Sequence, residues 1–416
     1  MADGLCKGAV SMLRIYNSFG RKLETFTPVN EEAVTIFTCG PSIYQRAHIG
    51  NFRTFLFEDI LVRYLDYSGY RVKRGMNITD IEDKAISEAQ RYDLTVGELT
   101  ERNIDEFIDE LKLLGIRIPE YLPRSSGYVG EAARMIARLI EIGVAYRHGG
   151  NVYFDPLKFP GFGKLYGLDM RRWPAQRRRY HRDTYPGLRW NLGDFILWHG
   201  YRAGDTLYWD TPIGRGRPSW NIEDPSMVAS RFRETLSIYC GGIDNRYRHH
   251  DYSIAILESL RPYPMARYWL HGEHLLIGGK KMSKSRGNIL YTENLLSRGY
   301  SAAEIRFFLI DGHYRERLSY TEEAMGAAAR RLRSLRQAIR AISERAGESV
   351  PLSDERSARI EALFRAEMDD DLAVRRAVDG VLREIEAAAA GDSTPASLAA
   401  CIAALRRIDE VLLVLF

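Results

Sequence analysis

Cysteine is scarce and scattered in this chain. Cys6, Cys39, Cys240 and Cys401 stand far apart among 416 residues, which excludes a disulfide framework and points to a reducing compartment. Long apolar runs are missing as well. None approaches the ~20 residues that span a bilayer. Residues 1–11 lack the apolar centre of a secretory leader, so they read as an N-terminal extension and the expected location is the cytoplasm. A strong charge of one sign is also absent. Lys and Arg number 59 against 55 Asp and Glu, a net +4, which permits an anionic partner without demanding one. Repeats and low-complexity tracts are lacking too, apart from the alanines at 387–390.

The length exceeds one typical core and suggests about two to four domains. Basic residues gather twice. One group is Arg171, Arg172, Arg177, Arg178, Arg179, His181 and Arg182; the other is Arg330, Arg331, Arg333, Arg336 and Arg340. Each offers a face for the phosphates of an RNA stem, or simply a solvated loop and a solvated helix face.

The most informative segment is Lys281-Met282-Ser283-Lys284-Ser285, preceded by Gly278, Gly279 and Lys280. Two ammonium groups three residues apart on a short loop can straddle a polyphosphate and balance charge on a leaving pyrophosphate. Far upstream, the apolar, β-branched run Ala33-Val34-Thr35-Ile36-Phe37-Thr38 predicts a buried strand. Cys39-Gly40-Pro41-Ser42-Ile43-Tyr44 and His48-Ile49-Gly50-Asn51 follow, and then Phe55, Ile60, Leu61, Tyr64 and Leu65 recur at helical spacing. Strand, glycine-bearing turn and helix start together offer backbone N–H groups to phosphates. An imidazole there can donate a hydrogen bond to a phosphate oxygen. Gly242 and Asp244 lie just past another strand end, where a carboxylate suits ribose hydroxyls.

These segments resemble the two signatures of class I aminoacyl-tRNA synthetases, and more closely the cysteinyl-tRNA synthetase family. The closer likeness is carried by Thr38 to Tyr44, by Asn77-Ile78-Thr79-Asp80-Ile81-Glu82-Asp83-Lys84, and by Gly241-Gly242-Ile243-Asp244 with His249-His250. Gly214-Arg215-Gly216-Arg217-Pro218-Ser219-Trp220 and Gly312-His313-Tyr314-Arg315 carry it too. The resemblance runs from about Met12 to the end of the chain. It implies an α/β fold: a class I synthetase-type Rossmann domain, a doubly wound parallel sheet, with an inserted subdomain and a C-terminal helical bundle. The expected division is an extension at 1–11, the first Rossmann half at 12–90, an insertion at 91–210, the second half at 211–275, the lysine loop and stem-contact region at 276–320, and the bundle at 321–416. Periodicity agrees at several points. Residues 99–114 and 129–142 read as amphipathic helices, and Met325, Ala328, Leu332, Leu335, Ile339 and Ile342 form one helical stripe.

The resemblance also implies roles. His48, Lys281 and Lys284 would be catalytic. His48, Asn51, Gly242, Asp244, Lys281 and Lys284 would hold ATP with Mg²⁺. Cys39, Thr79 and Trp220 would surround the amino acid. The family binds zinc through two Cys, one His and one Glu, and the zinc takes the substrate thiolate. This chain keeps Cys39 and His249 but has Asp224 and Ser253 at the other two positions, so the candidate metal set is Cys39, Asp224 and His249. The activated amino acid would be cysteine or, without zinc, another small amino acid. The expected reaction is adenylate formation followed by transfer to the 3′ end of tRNA. The sequence stops near where the bundle should close, so anticodon recognition is not expected. The alternatives are a paralogue that acylates a small amine or carrier, like the ligase of mycothiol synthesis, and a non-catalytic nucleotide- or RNA-binding relative.

Overall fold

The structure is a computed structural model that describes residues 12–172, 194–283, 286–351 and 353–416. Lys284 and most of the first basic group lie outside the described residues. At the centre is a four-stranded parallel sheet in the order Ala266–Gly272, Leu236–Gly242, Val34–Thr38, Val72–Met76. Val34–Thr38 is buried at every position, as a β-branched run covered on both faces must be. The chain leaves this strand to one side for Val72–Met76 and returns on the other with Leu236–Gly242. The switch in strand order therefore falls between Val34–Thr38 and Leu236–Gly242. Ligands bind at such a point, beyond the carboxyl ends of the strands.

The crossover helix Ile49–Tyr67 is fixed at both ends. His48 and Asn51 form a reciprocal cap at its start, and Gly69 at φ 89° ends it in the left-handed region. Its buried positions include Phe52, Phe55, Leu56, Ile60, Leu61 and Leu65, so it lies between the sheet and the rest of the molecule rather than on the surface.

Between the two halves of the sheet come the helices Val96–Leu113 and Val129–Glu141. An antiparallel sheet follows, formed by Ala145–His148, Asn151–Phe154, Phe195–Gly200 and Gly216–Pro218. It continues past residue 210 and delivers the chain directly to the helix Trp220–Arg231. A three-stranded sheet, Lys280–Lys281, Leu275–Ile277 and Leu318–Tyr320, presents the lysine loop. Gly278 and Gly279 both sit at positive φ, 53° and 75°, as a two-residue hairpin turn of type I′ requires.

Four helices close the chain: Glu322–Ala346, Glu355–Met368, Val374–Ala390 and Pro395–Leu412. The stripe from Met325 to Ile342 is buried as its period requires. The bundle is joined to the sheet domain by polar ties. Asp371 accepts from the Tyr314 hydroxyl at 2.8 Å, from Arg315 Nε at 2.6 Å and from the Tyr16 N–H at 2.8 Å. Buried Arg306 reaches Asp59, the Leu412 carbonyl and the Leu114 carbonyl. The second basic group is largely engaged within the chain. Arg331 pairs with Asp311 and Asp379, Arg333 with Glu304, and Arg336 donates to the carbonyls of Val414 and Phe416. Those three guanidinium groups have partners within the chain, which the helical pattern alone did not reveal. No described helix is long and apolar enough to cross a membrane.

Candidate active site

The carboxyl ends of Val34–Thr38 and Leu236–Gly242 open onto a cavity of about 190 Å³. Cys39, Asn51, Thr79, Trp220, Gly242 and Asp244 all line it, so six residues singled out from the sequence share one wall-to-wall space. Close backbone packing builds its floor. A Cβ on Gly40 would lie 1.8 Å from the Asn77 carbonyl oxygen, so only glycine fits there. The Gly40 N–H donates to Asn77 Oδ1 at 2.7 Å, and the Asn77 amide donates to Thr79 Oγ1 at 3.2 Å. The Thr79 N–H returns to the Pro41 carbonyl at 3.0 Å. These bonds hold Thr79 against the turn that follows Cys39.

At the start of the helix Ile49–Tyr67, Asn51 N–H donates to His48 Nδ1 at 3.3 Å and His48 N–H donates to Asn51 Oδ1 at 3.0 Å. Burial pulls the His48 pKa below its usual value, and Lys281 pulls it further, against the His48 backbone hydrogen bond and Asp244. A neutral ring that accepts at Nδ1 carries its proton on Nε2. His48 therefore has an N–H donor left for a ligand. Gly50 and the lysine loop touch: a Cβ on Gly50 would stand 2.4 Å from Met282 Cε. Lys281 Nζ donates to Asp244 Oδ2 at 3.0 Å, with both side chains about half exposed at 56% and 52%. Burial raises the Asp244 carboxyl, but Lys281 and His274 outweigh it and leave the group below its usual range. An exposed pair of this kind contributes only about 0–1 kcal/mol, so the lysine can readily exchange the carboxylate for a phosphate. His48 through Asn51 and Lys281 through Asp244 thus each touch a residue that lines the pocket, and Lys281 is near enough to act on the His48 ring.

At the opposite, inner end the side chains are buried. Trp220 stacks on the His249 ring with centroids 3.8 Å apart and planes at 15°. His249 Nε2 lies 2.9 Å from Asp224 Oδ2, and the Tyr239 hydroxyl donates to the same oxygen at 2.9 Å. Burial first, then Asp224, pushes the Cys39 thiol well up, and Asn245 Nδ2 donates to Cys39 Sγ at 3.3 Å. His250 Nδ1 faces His271 Nε2 at 2.9 Å, and His271 Nδ1 faces Ser18 Oγ at 2.8 Å. Among the described residues, the close metal-capable group is Cys39, His249 and His250, with ligand atoms within 4.8 Å of one another. The sequence instead grouped Cys39, Asp224 and His249. Asp224 is taken up by the His249 and Tyr239 contacts, and Ser253 Oγ donates to the His249 carbonyl at 2.8 Å. The four-ligand zinc set of the resembled family therefore does not fit these residues. Ser253, at the Glu position, is a hydroxyl turned to the backbone, and Asp224, at the second Cys position, shares its bonded oxygen between two neighbours.

Sequence reasoning missed Asn245, which lines the cavity beside Cys39, and Glu82 and Lys84 on its wall. Burial raises the Glu82 carboxyl to about 7, with Lys84 acting against it. The signal was present in the segment Asn77 to Lys84, which carried the resemblance without its charged residues being assigned.

The comparisons agree with this geometry. The family model described as tRNA synthetases class I (C) catalytic domain matches residues 25–330. The chain is 41% identical over 366 residues to a cysteine–tRNA ligase of Chlamydia pneumoniae, covering 86% of this chain and 76% of the relative. It is 38% identical over 312 residues to that of Brachyspira hyodysenteriae, covering 74% and 65%. Among solved structures, a methionyl-tRNA synthetase of Mycobacterium tuberculosis bound to methionyl-adenylate superposes with a TM-score of 0.67 at 15% identity, covering 92% of each chain. The LeuRS–tRNA–LeuAMS ternary complex of Agrobacterium radiobacter K84 gives 0.66 at 12%, covering 94% and 85%. With a doubly wound sheet, a family model matched over residues 25–330 and relatives matched over most of their length, the chain belongs to the cysteinyl-tRNA synthetase family and is an enzyme of the class I aminoacyl-tRNA ligase kind.

Proposed function

We propose that the protein activates a small amino acid with ATP and Mg²⁺ and passes the aminoacyl group to the 3′ end of a tRNA. The observation that carries this reading is that Asn51 and Asp244, which line one cavity, hold His48 and Lys281 respectively, with Met282 next to Gly50. The cavity, about 190 Å³, is below the roughly 300–1,000 Å³ of drug-sized sites. It suits an amino acid, while the nucleotide runs out between the helix start and the lysine loop.

The chemistry follows from the groups at hand. A carboxylate oxygen of the amino acid attacks the α-phosphorus of ATP. The bond from that phosphorus to the bridging oxygen breaks, and pyrophosphate leaves with the electron pair. Negative charge moves toward the leaving group. His48 Nε2–H donates to a phosphate oxygen, and Lys281 leaves Asp244 to follow that charge. Lys284 is assigned the same role from the sequence. Asp244, once released, is free for the ribose hydroxyls. Mg²⁺ shares the phosphate charge. In the second step a terminal tRNA hydroxyl attacks the acyl carbon and AMP leaves.

Amino-acid-dependent ATP–pyrophosphate exchange tests the first step, and labelled amino acid recovered on tRNA tests the second. Lys284→Ala should remove exchange while circular dichroism and thermal midpoint stay as in the parent. Unchanged exchange in that variant would remove the lysine loop from the mechanism.

A further inference from the structure

The phosphate chemistry leaves one charged stretch of the pocket wall without a task. It is the segment Asp80 to Lys84, which follows Thr79 and starts the helix Asp83–Arg91. Most of its charges are already engaged. Asp80 accepts from the Ser126 N–H at 2.8 Å and from the Ser126 hydroxyl at 2.5 Å. Asp83 pairs with Arg217. The Lys84 ammonium lies over the Tyr44 ring, 5.1 Å from its centroid. Glu82 differs from all three. It stands at the N-cap of the helix, yet its side chain makes no capping bond. Its Oε1 is buried and has no hydrogen-bond partner among the described residues, and the residue lines the cavity. Native proteins leave few buried polar atoms unpaired, and those that remain mark places where something else completes the bonding.

The surroundings decide the sign of that missing partner. Asp244, the other carboxylate that lines the cavity, is held by Lys281 at 3.0 Å. Glu223 is fully buried one turn beyond Trp220, on the side of the helix that carries this tryptophan. Glu82 and Asp80 both act on its carboxyl as like charges. Lys84 is the cation that acts on Glu82. A second cation entering here relieves repulsion among the acids, whereas an anion adds to it. An amino acid brings one such cation whatever its side chain. Its carboxylate has to reach ATP, so its ammonium group needs a partner of its own on the cavity wall.

We propose that Glu82 is the binding residue for the α-ammonium group of the amino acid, in the cavity it shares with Thr79 and Trp220. The proposal rests on the adenylation reading above. An ammonium group donates charge-assisted hydrogen bonds to the carboxylate. A site built to bond a substrate group rejects the analogue that lacks it, because its own polar atoms then stay unpaired.

The test is pyrophosphate exchange on the full-length protein with paired probes: cysteine and 3-mercaptopropionate, serine and 3-hydroxypropionate, alanine and propionate. The second member of each pair lacks only the α-amino group. In the parent, the best amino acid should exceed its partner at least about 100-fold in kcat/KM. In Glu82→Gln its KM should rise about 10–100-fold, its advantage over the partner should fall at least about tenfold, and the KM for ATP should stay within about threefold. Lys84→Ala should lower the amino-acid KM, because a competing cation is gone. A partner that serves the parent as well as its amino acid overturns the proposal, as does an unchanged advantage in folded Glu82→Gln. An equal rise in both KM values also overturns it, since Glu82 would then serve the nucleotide or its Mg²⁺. So does the same rise in Lys84→Ala, which would make Glu82 a support for that lysine. Should Glu82→Gln not fold, Glu82→Ala is read in the same way. Absence of exchange with every protein amino acid would overturn the adenylation reading instead. Equilibrium dialysis of labelled cysteine, serine and alanine would then decide the proposal: binding weakened at least about tenfold in Glu82→Gln upholds it, and equal binding or none overturns it.

Discussion

The two ends of the pocket are built on opposite physical terms. The phosphate end is open and held by weak, exchangeable contacts: a half-exposed Lys281–Asp244 pair, a methionine on a glycine, and an imidazole with one N–H to spare. The side-chain end is closed and held by stacked rings and buried hydrogen bonds among Trp220, His249, Asp224 and Tyr239. An end that must grip and release a changing charge gains from contacts worth little in its resting state. An end that must discriminate between amino acids gains from groups that cannot adapt to the wrong one. At the second end the chain keeps Cys39, Trp220 and His249 but carries Asp224 and Ser253 at the other two positions of the resembled zinc set.

The comparison can be broken most directly by Lys281→Ala. Loss of one positioned cation should lower the exchange rate about 10²–10³-fold, with no change in thermal midpoint, because the pair it leaves is exposed. A large fall in midpoint together with the rate would mean that the loop is structural after all. Acid should act instead on the closed end. Burial lowers the His271 pKa to about 3. Because that folded value lies below the unfolded ~6.5, the neutral ring contributes stability that is fully present above about pH 6.5 and is lost as pH falls toward 3. The loss should reach on the order of 3 kcal/mol by pH 4 at ~1.4 kcal/mol per unit. Urea midpoints from pH 7 to 4 should fall less steeply in His271→Gln than in the parent; parallel slopes would count against a neutral buried ring. The smallest effect belongs to Asp244→Asn. Its stability should change by less than about 1 kcal/mol, while the KM for ATP should change several-fold as Lys281 loses its resting partner. Unfolding titrations beside ATP saturation curves would measure both.

Much of the fold was legible because local patterns dictate it. A buried β-branched run before a glycine turn makes a central strand, and a stripe at helical spacing from Met325 to Ile342 makes a bundle helix. The cavity also gathered Cys39, Asn51, Thr79, Trp220, Gly242 and Asp244, because ligand sites follow the carboxyl ends of strands. Other features had no local signature. Asn51 looked like a phosphate ligand and also serves as the reciprocal cap of His48. Asn245 at the Cys39 thiol is a turn residue with no pattern of its own.

By itself, the order of residues determined the doubly wound core and the helical tail, since spacing and side-chain type within single segments carry that information. Only the tertiary structure decided which charges meet. It gave Lys281 to Asp244, tied Arg331, Arg333 and Arg336 to partners within the chain, and bound Asp224 to His249 and Tyr239. Pairings of this kind depend on how the strands are ordered and how closely helices approach one another, and no stretch of sequence records that distance.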